Sequence, residues 1–236
     1  MRPATKIVLA VAAFGLIHSL LASRAVKAKV AARVGERNRN GLYRAAYNAQ
    51  AIASTALLIR YCKRLPDRQL WQVRGCPAAL LHCTRVALLI GMGQAVRQVG
   101  VLRMGGLTNL AAVVQGSRAI APEPEAQGPA LDPDHPVKGP FKCTRHPLNF
   151  LAVPLVWLTP RMTRNRLVFN CAATLYFLIG SLHEEARLRR AHPAEYRDYQ
   201  RRVRFLFGRK PKATNRVLQP NMAARASTAP LADLPN

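Results

Sequence analysis

Five apolar segments, separated by clusters of arginine and lysine, are the feature that most limits what this chain can fold into. Half of its 236 residues are hydrophobic, yet its formal net charge is +25, so the two kinds of residue occupy separate segments. A membrane-spanning helix needs ~20 mostly apolar residues, with a range of roughly 17–25. The pattern therefore predicts an all-α, integral-membrane helical bundle of about five transmembrane helices. The predicted spans are residues 7–21, 45–59, 78–96, 150–158 and 167–182.

The basic residues favour contact with lipid head groups over contact with nucleic acid. A nucleic-acid-binding domain would place lysine and arginine on one face, often beside stacking aromatic side chains. Here aromatic residues are only 6% of the chain, and basic residues fill every gap between the apolar segments. This distribution is typical of contact with anionic head groups and of charge-directed topology. We therefore expect membrane lipids as partners and no nucleic acid.

The cysteines and the first residues argue against a disulfide framework, a zinc site and a cleaved signal peptide. The five cysteines are odd in number and lack Cys-x-x-Cys spacing, so they favour neither a disulfide framework nor a zinc site, and we expect no metal. The start of the chain has the charge and apolar core of a secretory signal peptide. Its apolar run continues through "HSLL", however, and further apolar segments follow, so we expect an uncleaved first span.

The segments between the spans are predicted to be connections, interfacial helices and a tail. Pro193 is expected to break an amphipathic helix that begins after the last span. The predictions are a short interfacial helix in 23–44, a loop over 62–76, a short or re-entrant segment at 103–116, a loop over 117–140, a tight polar turn at 161–166, an interfacial helix over 184–204 and a disordered tail over 209–236. Residues 1–208 form the predicted membrane domain.

Charged pairs flank the last two apolar segments, and their positions indicate an anion site and a cation site at one membrane surface. A helix that begins at Pro147 places Arg145 and His146 beside free backbone N–H groups, which suits a carboxylate or a phosphate. The next helix returns to that surface with Glu184 and Glu185 at its negative end, where carboxylates are unfavourable. The two sites together could bind a zwitterionic small molecule. Alternatively, Arg145 could simply pair with one of the two glutamates.

These same segments resemble the isoprenylcysteine carboxyl methyltransferase and phospholipid methyltransferase superfamily. "GPFKCTRHPLNF", then a short hairpin, then "EEARLRRAHPAEYRDYQRRV" is similar to the family's Arg-His-Pro and Glu-Glu blocks. Near the start, "HSLLAS" and "YRAAYN" resemble the small bacterial NnrU-like branch. The resemblance covers about 139–203, and more loosely 18–48.

The resemblance implies an integral-membrane methyltransferase that uses S-adenosylmethionine and acts on a lipid-like or membrane-presented acceptor. The cofactor would be bound within 139–204, with Arg145 and Glu185 as the candidate catalytic residues. The residues that the resemblance assigns to the cofactor are Gly139, Phe141, Arg145, His146, Pro147, Glu184, Glu185, Leu188, Tyr196 and Tyr199. Because this cofactor is cytosolic, the site is expected to face the cytoplasm, at the inner membrane of a bacterium.

Three departures from the family pattern keep other functions open. Phe141 and Asn149 stand where tyrosines are usual, and "AHPAEY" replaces the usual Phe-Gly before the C-terminal tyrosines. One alternative is a non-catalytic membrane protein of the same fold that supports another membrane complex. A second is a membrane reductase that uses NADPH, since sterol-type reductases share a related C-terminal layout.

Overall fold

The computed structural model describes residues 1–120 and 137–206, and these residues are nearly all helical. The helices are α1 Pro3–Ala22, α2 Arg24–Val34, α3 Glu36–Arg64, α4 Gly75–Val99, α5 Val101–Gly105, α6 Leu107–Val114, α7 Pro147–Trp157, α8 Arg164–Ala191 and α9 Pro193–Arg202. Two short strands, β1 Gln69–Gln72 and β2 Arg161–Thr163, and a 3-10 turn at Gly139–Lys142 complete the described elements. The predicted tail and most of the predicted 117–140 loop lie outside the described residues.

Five helices, α1, α3, α4, α7 and α8, coincide with the five predicted spans and form the bundle. The ends of α1 and α8 lie together, because Arg187 Nη1 donates to the carbonyl of Ala22 at 2.9 Å. Helix α3 begins at this end, where the Tyr43 hydroxyl donates to the carbonyl of Leu21 at 2.6 Å. Consecutive spans therefore cross in alternating directions.

Helix composition confirms the prediction of a membrane bundle. Helices α1, α4 and α8 are each long and apolar enough to cross a bilayer, while α7 is apolar but has only 11 residues. Large apolar side chains on these helices point outward. Leu16, Leu89 and Ile179, for example, each have more than half of their surface exposed. Such an outer surface is unfavourable in water and suits hydrocarbon.

Helix α8 is longer than predicted, and this corrects the position given to Glu184 and Glu185. The helix does not end at Leu182 but continues to Ala191, so both glutamates lie within it and not at its negative end. The residues after Leu182 are mostly alanine, glutamate, arginine and leucine, which are strong helix formers, so nothing stops the helix there. The break comes at His192, because the following Pro193 cannot continue it.

Other predicted segments also take a more defined form in the structure. The predicted interfacial segment 23–44 divides at Gly35, and its second half is the first part of α3. The predicted loop 62–76 contains β1, which pairs antiparallel with β2 in the predicted turn 161–166. Segment 103–116 forms the short helices α5 and α6, which pack against α3.

The pair of strands ties two inter-helix connections together at one end of the bundle, which we call the ribbon end. The N–H of Asn165, at the start of α8, donates to Asp67 Oδ1 at 2.9 Å. The Asn165 side chain donates in turn to the carbonyl of Pro66 at 3.1 Å. The α3–α4 connection is therefore fixed to the start of α8, while Glu184 and Glu185 lie at the opposite end.

Candidate functional site

Glu185 is the centre of a buried polar cluster at the end opposite the ribbon. Its side chain is 6% exposed, and its two oxygens are contacted by four side chains from two segments, the one before α7 and α9. The contacts are Arg145 Nε at 2.6 Å, Arg145 Nη2 at 3.2 Å, His146 Nε2 at 3.2 Å, the Tyr196 hydroxyl at 2.8 Å and Gln200 Nε2 at 2.7 Å. We call these five residues the Glu185 cluster. A buried carboxylate is tolerated only with such full pairing.

Arg145 pairs directly with Glu185, which is one of the two arrangements that the sequence left open. Both carboxylate oxygens are engaged, as in a bidentate ion pair. The remaining nitrogen, Nη1, donates to the carbonyl of Val203 at 2.5 Å. The guanidinium carbon also lies 5.7 Å from the centroid of the Phe205 ring. The guanidinium of Arg145 is therefore occupied by groups of the protein itself.

The segment after α9 satisfies the polar groups that precede α7. The N–H of Arg145 donates to the carbonyl of Arg204 at 2.9 Å. The hydroxyl of Thr144 donates to the carbonyl of Phe205 at 2.5 Å. These two hydrogen bonds fix the segment before α7 against the segment after α9. Arg204 and Phe205 thus belong to the site, although no sequence motif marked them.

An aromatic layer under the cluster holds the other predicted residues. Leu188, Tyr196, Tyr199 and Val203 pack together and are buried. The Tyr199 hydroxyl donates to the carbonyl of Phe141 at 2.9 Å, which fixes the 3-10 turn to α9. Burial raises the pKa of both tyrosines, so both stay neutral hydrogen-bond donors.

Gly139 is the predicted residue that lies apart from this layer. A Cβ on it would lie 3.2 Å from the side-chain nitrogen of Gln98, on α4. Its φ of +53° is one that glycine adopts more readily than other residues. Pro147, in contrast, is buried at the first position of α7, directly after His146.

His146 links the two glutamates. Its side chain is 3% exposed, its Nε2 faces Glu185, and its Nδ1 lies 3.4 Å from Glu184 Oε2. Burial lowers the pKa of His146, but the hydrogen bonds and the negative charges of Glu184 and Glu185 outweigh burial, so its pKa is raised above the ordinary 6.5. The charged imidazolium is therefore favoured between the two carboxylates.

Glu184 also borders a cavity that the sequence did not predict. The cavity has a volume of 280 Å³ and lies mainly between α1, α3 and α8, so we call it the α1–α3–α8 cavity. Its lining combines aromatic rings with charged groups of both signs. The aromatic side chains are Phe14, Phe177, Tyr43, Tyr47 and Tyr176, and the charged ones are Lys27, Arg44, Glu184 and Arg187.

The nitrogens of the cavity lining that are buried without a hydrogen-bond partner among the described residues include two that bear on ligand binding. One is Nδ1 of His18, whose Nε2 lies 2.6 Å from the Tyr47 hydroxyl. The other is Nε of Arg187. Asn149, from the Arg-His-Pro block, also borders the cavity and donates to Ser181 Oγ at 2.8 Å. The family block therefore contributes to both the Glu185 cluster and the cavity.

Comparison with known proteins shows the family of the chain. The sequence profile described as "NnrU protein" matches residues 6–207, nearly all of the described chain. The chain belongs to the NnrU family. The predicted resemblance to the NnrU-like branch is thereby confirmed.

Several relatives carry the name methanethiol S-methyltransferase. The protein from Pseudomonas deceptionensis is 40% identical over 84 residues, which are 33% of this chain and 32% of the relative. The second enzyme of that name from Bradyrhizobium diazoefficiens is 41% identical over 69 residues, 29% of this chain and 27% of its own length. The protein from Mycobacterium tuberculosis is 39% identical over 67 residues, 28% of each chain. The chain thus spans about a third or less of these relatives, and no solved structure matches it.

The Arg145–Glu185 pair is expected to show strong energetic coupling. In a double-mutant cycle with Arg145→Met and Glu185→Gln, each single change leaves a buried group without its partner. The double variant should therefore lose less free energy of unfolding than the sum of the two, by about 1–3 kcal/mol. The measurement is chemical denaturation in detergent.

The control cycle uses Arg201→Met and Asp198→Asn. This pair has a longer contact, 3.7 Å, and its side chains are 52% and 41% exposed, so solvent screens it. We expect the losses of unfolding free energy in the two single variants to add up in the double variant. Additive losses at Arg145 and Glu185 as well would contradict the coupling.

The raised pKa of His146 predicts that stability falls with rising pH. The folded protein holds this proton more tightly than the unfolded chain, so the contribution is complete below 6.5 and is lost as pH rises through the raised pKa. His146→Gln should remove this part of the pH dependence, measured as the melting temperature in buffers from acid to alkaline pH. His192→Gln, at an exposed histidine, should leave it unchanged. Parallel curves for wild type and His146→Gln would refute the assignment.

Proposed function

We propose that this NnrU-family protein is an integral-membrane, S-adenosylmethionine-dependent methyltransferase, and that donor and acceptor meet in the α1–α3–α8 cavity. The observation that carries the proposal is the lining of that cavity, where a carboxylate, several cations and aromatic rings surround 280 Å³ beside the family's Glu-Glu block. The names of the relatives support a methyl-transfer reaction.

The chemistry of the cavity lining fits S-adenosylmethionine. Its α-ammonium group would pair with Glu184, and its α-carboxylate would pair with Arg187, whose buried Nε lacks a partner among the described residues. The rings of Tyr47 and Tyr176 offer faces for a sulfonium or an adenine. When bound, S-adenosylmethionine supplies an electrophilic methyl group.

The Glu185 cluster would act by positioning. Arg145 is engaged by Glu185 and by the carbonyl of Val203, so we assign it to holding the start of α7 and not to direct contact with the donor. His146 contacts both glutamates and would hold the Glu184 carboxylate at the edge of the cavity. Such support is what keeps a site in a productive geometry.

A thiol is the acceptor class that the proposal favours. Methanethiol is named in the relatives, and the cavity borders His18, whose Nδ1 is buried and lacks a partner among the described residues. With Nε2–H donated to Tyr47, Nδ1 carries a lone pair that can accept a proton. The S–H bond of the acceptor would break, the proton would bind Nδ1, and the electron pair would remain on sulfur. A thiolate is the stronger nucleophile.

Donor binding is tested by calorimetry on the purified protein in detergent. We expect S-adenosylmethionine to bind, and Glu184→Gln to weaken binding by about tenfold or more, because a charged hydrogen bond is lost. Glu195→Gln, at an exposed glutamate on α9, should bind like the wild type. An absence of S-adenosylmethionine binding would refute the proposal, and binding of NADPH in its place would favour a reductase.

Acceptor chemistry is tested by measuring S-adenosylhomocysteine formed with methanethiol, a long-chain alkyl thiol or phosphatidylethanolamine. We expect turnover with a thiol and a loss of about a hundredfold or more in His18→Gln, because general-base catalysis is removed. Donor binding should be unchanged in that variant. Equal rates in His18→Gln and wild type would exclude His18 as the base. Donor binding without turnover on any acceptor would favour a non-catalytic role, which the closed Glu185 cluster also suits.

A further inference from the structure

A second cavity, at the ribbon end, plays no part in the proposed methyl transfer. It has a volume of 550 Å³ and lies between α3, α4, α7 and α8. Four cationic side chains line it: Lys63, Arg85, Arg161 and Arg166. We call this space the basic cavity.

The positive charge of the basic cavity is only partly offset by the described part of the chain. The lining includes one carboxylate, Asp67, which accepts from the N–H groups of Arg68 at 2.8 Å and Asn165 at 2.9 Å. None of the four cations forms a salt bridge within residues 1–120 and 137–206. The cavity therefore presents an excess of positive charge.

Arg85 is the least expected of these cations. It lies in α4, which is apolar enough to cross a membrane, and it is half-buried. Its Nε is buried and has no hydrogen-bond partner in the part of the chain that the structure describes. Charged groups at membrane depth are costly and normally face a partner. A hydrogen-bond partner for Arg85 Nε would therefore have to come from outside the described part of the chain.

One wall of the basic cavity is apolar. It is formed by Ile59 of α3, Leu155 and Val156 of α7, and Phe169 of α8. A site of this kind combines a cationic part with a hydrocarbon-like part, which matches a molecule with an anionic head and an apolar chain. A small inorganic anion would leave the apolar wall unused.

The basic cavity and the Glu185 cluster lie towards opposite ends of α8. Between Arg166 and Glu185, helix α8 rises by about 28 Å at ~1.5 Å per residue. This is close to the ~30 Å thickness of the hydrocarbon core. A ligand of the basic cavity is thus separate from any donor or acceptor at the other end.

We propose that the basic cavity binds an anionic phospholipid, with the phosphate among Arg85, Arg161 and Lys63 and one acyl chain along the apolar wall. A zwitterionic phospholipid is disfavoured, because its ammonium group would meet the same cations. Arg166 is the cation that shapes the site, since its Nη1 donates to Thr159 Oγ1 at 2.8 Å and to the carbonyl of Arg161 at 2.6 Å.

The test uses the delipidated full chain in an uncharged detergent. Phosphatidylglycerol, phosphatidylcholine, glycerol phosphate or inorganic phosphate is added, and binding is measured by native mass spectrometry and by the melting temperature. We expect phosphatidylglycerol to bind and to raise the melting temperature, and the other three to have much smaller effects. In Arg85→Gln/Arg161→Gln, affinity for phosphatidylglycerol should fall by about fivefold for each cation removed.

The matched control is Arg64→Gln/Arg74→Gln, which removes the same charge from exposed positions at the ribbon end outside the cavity. This control should keep at least most of the affinity. Equal losses in the two double variants would overturn the proposal, because they would indicate general attraction to a basic surface. Equal binding of phosphatidylcholine would overturn it too, and equal binding of glycerol phosphate or inorganic phosphate would replace the lipid with a free anion.

Discussion

Burial of Glu185 requires the ion pair with Arg145, and much of the C-terminal half of the molecule is arranged around that requirement. A carboxylate with 6% exposure cannot stay charged without partners, and Arg145 supplies two hydrogen bonds while Tyr196 and Gln200 supply one each. These partners come from the segment before α7 and from α9. The pair therefore fixes the start of α7, the last turns of α8 and the orientation of α9 relative to one another.

The main architecture follows from two simple properties of the sequence. Apolar segments alternating with basic ones predict a membrane bundle, and the structure has helices at all five predicted places. The joint position of the Arg-His and Glu-Glu pairs follows from the geometry of an antiparallel hairpin, in which a helix must return to the surface from which the previous one left. Pro147 marks the start of α7 because its missing N–H does no harm at that position.

Contacts between distant segments could not be predicted in the same way. Whether Arg145 contacts Glu185 directly depends on differences of about an ångström in the distance between the two side chains, which hydropathy does not encode. His18 and Tyr47, which line the α1–α3–α8 cavity, lie in the two blocks near the start that resemble the NnrU-like branch, but those blocks do not show that the two side chains meet. Strand β1 has only four residues, all exposed, so it lacks the alternation of buried and exposed residues by which strands are recognised. The apolar residues of α8 end at Leu182, and hydropathy therefore places the helix end there. The following residues are strong helix formers, so the helix continues to Ala191.

The pairing of β1 with β2 has a consequence for the order in which the molecule is assembled. Gln69 lies opposite Thr163, and both α4 and α7 come between them in the sequence. The two strands can meet only after α4 has crossed the membrane in one direction and α7 has crossed in the other. Contacts between segments so far apart form late, because a long loop must be closed first. During biosynthesis, the ribbon end should therefore remain open until α7 has been inserted, so its closure comes late in the assembly of the bundle.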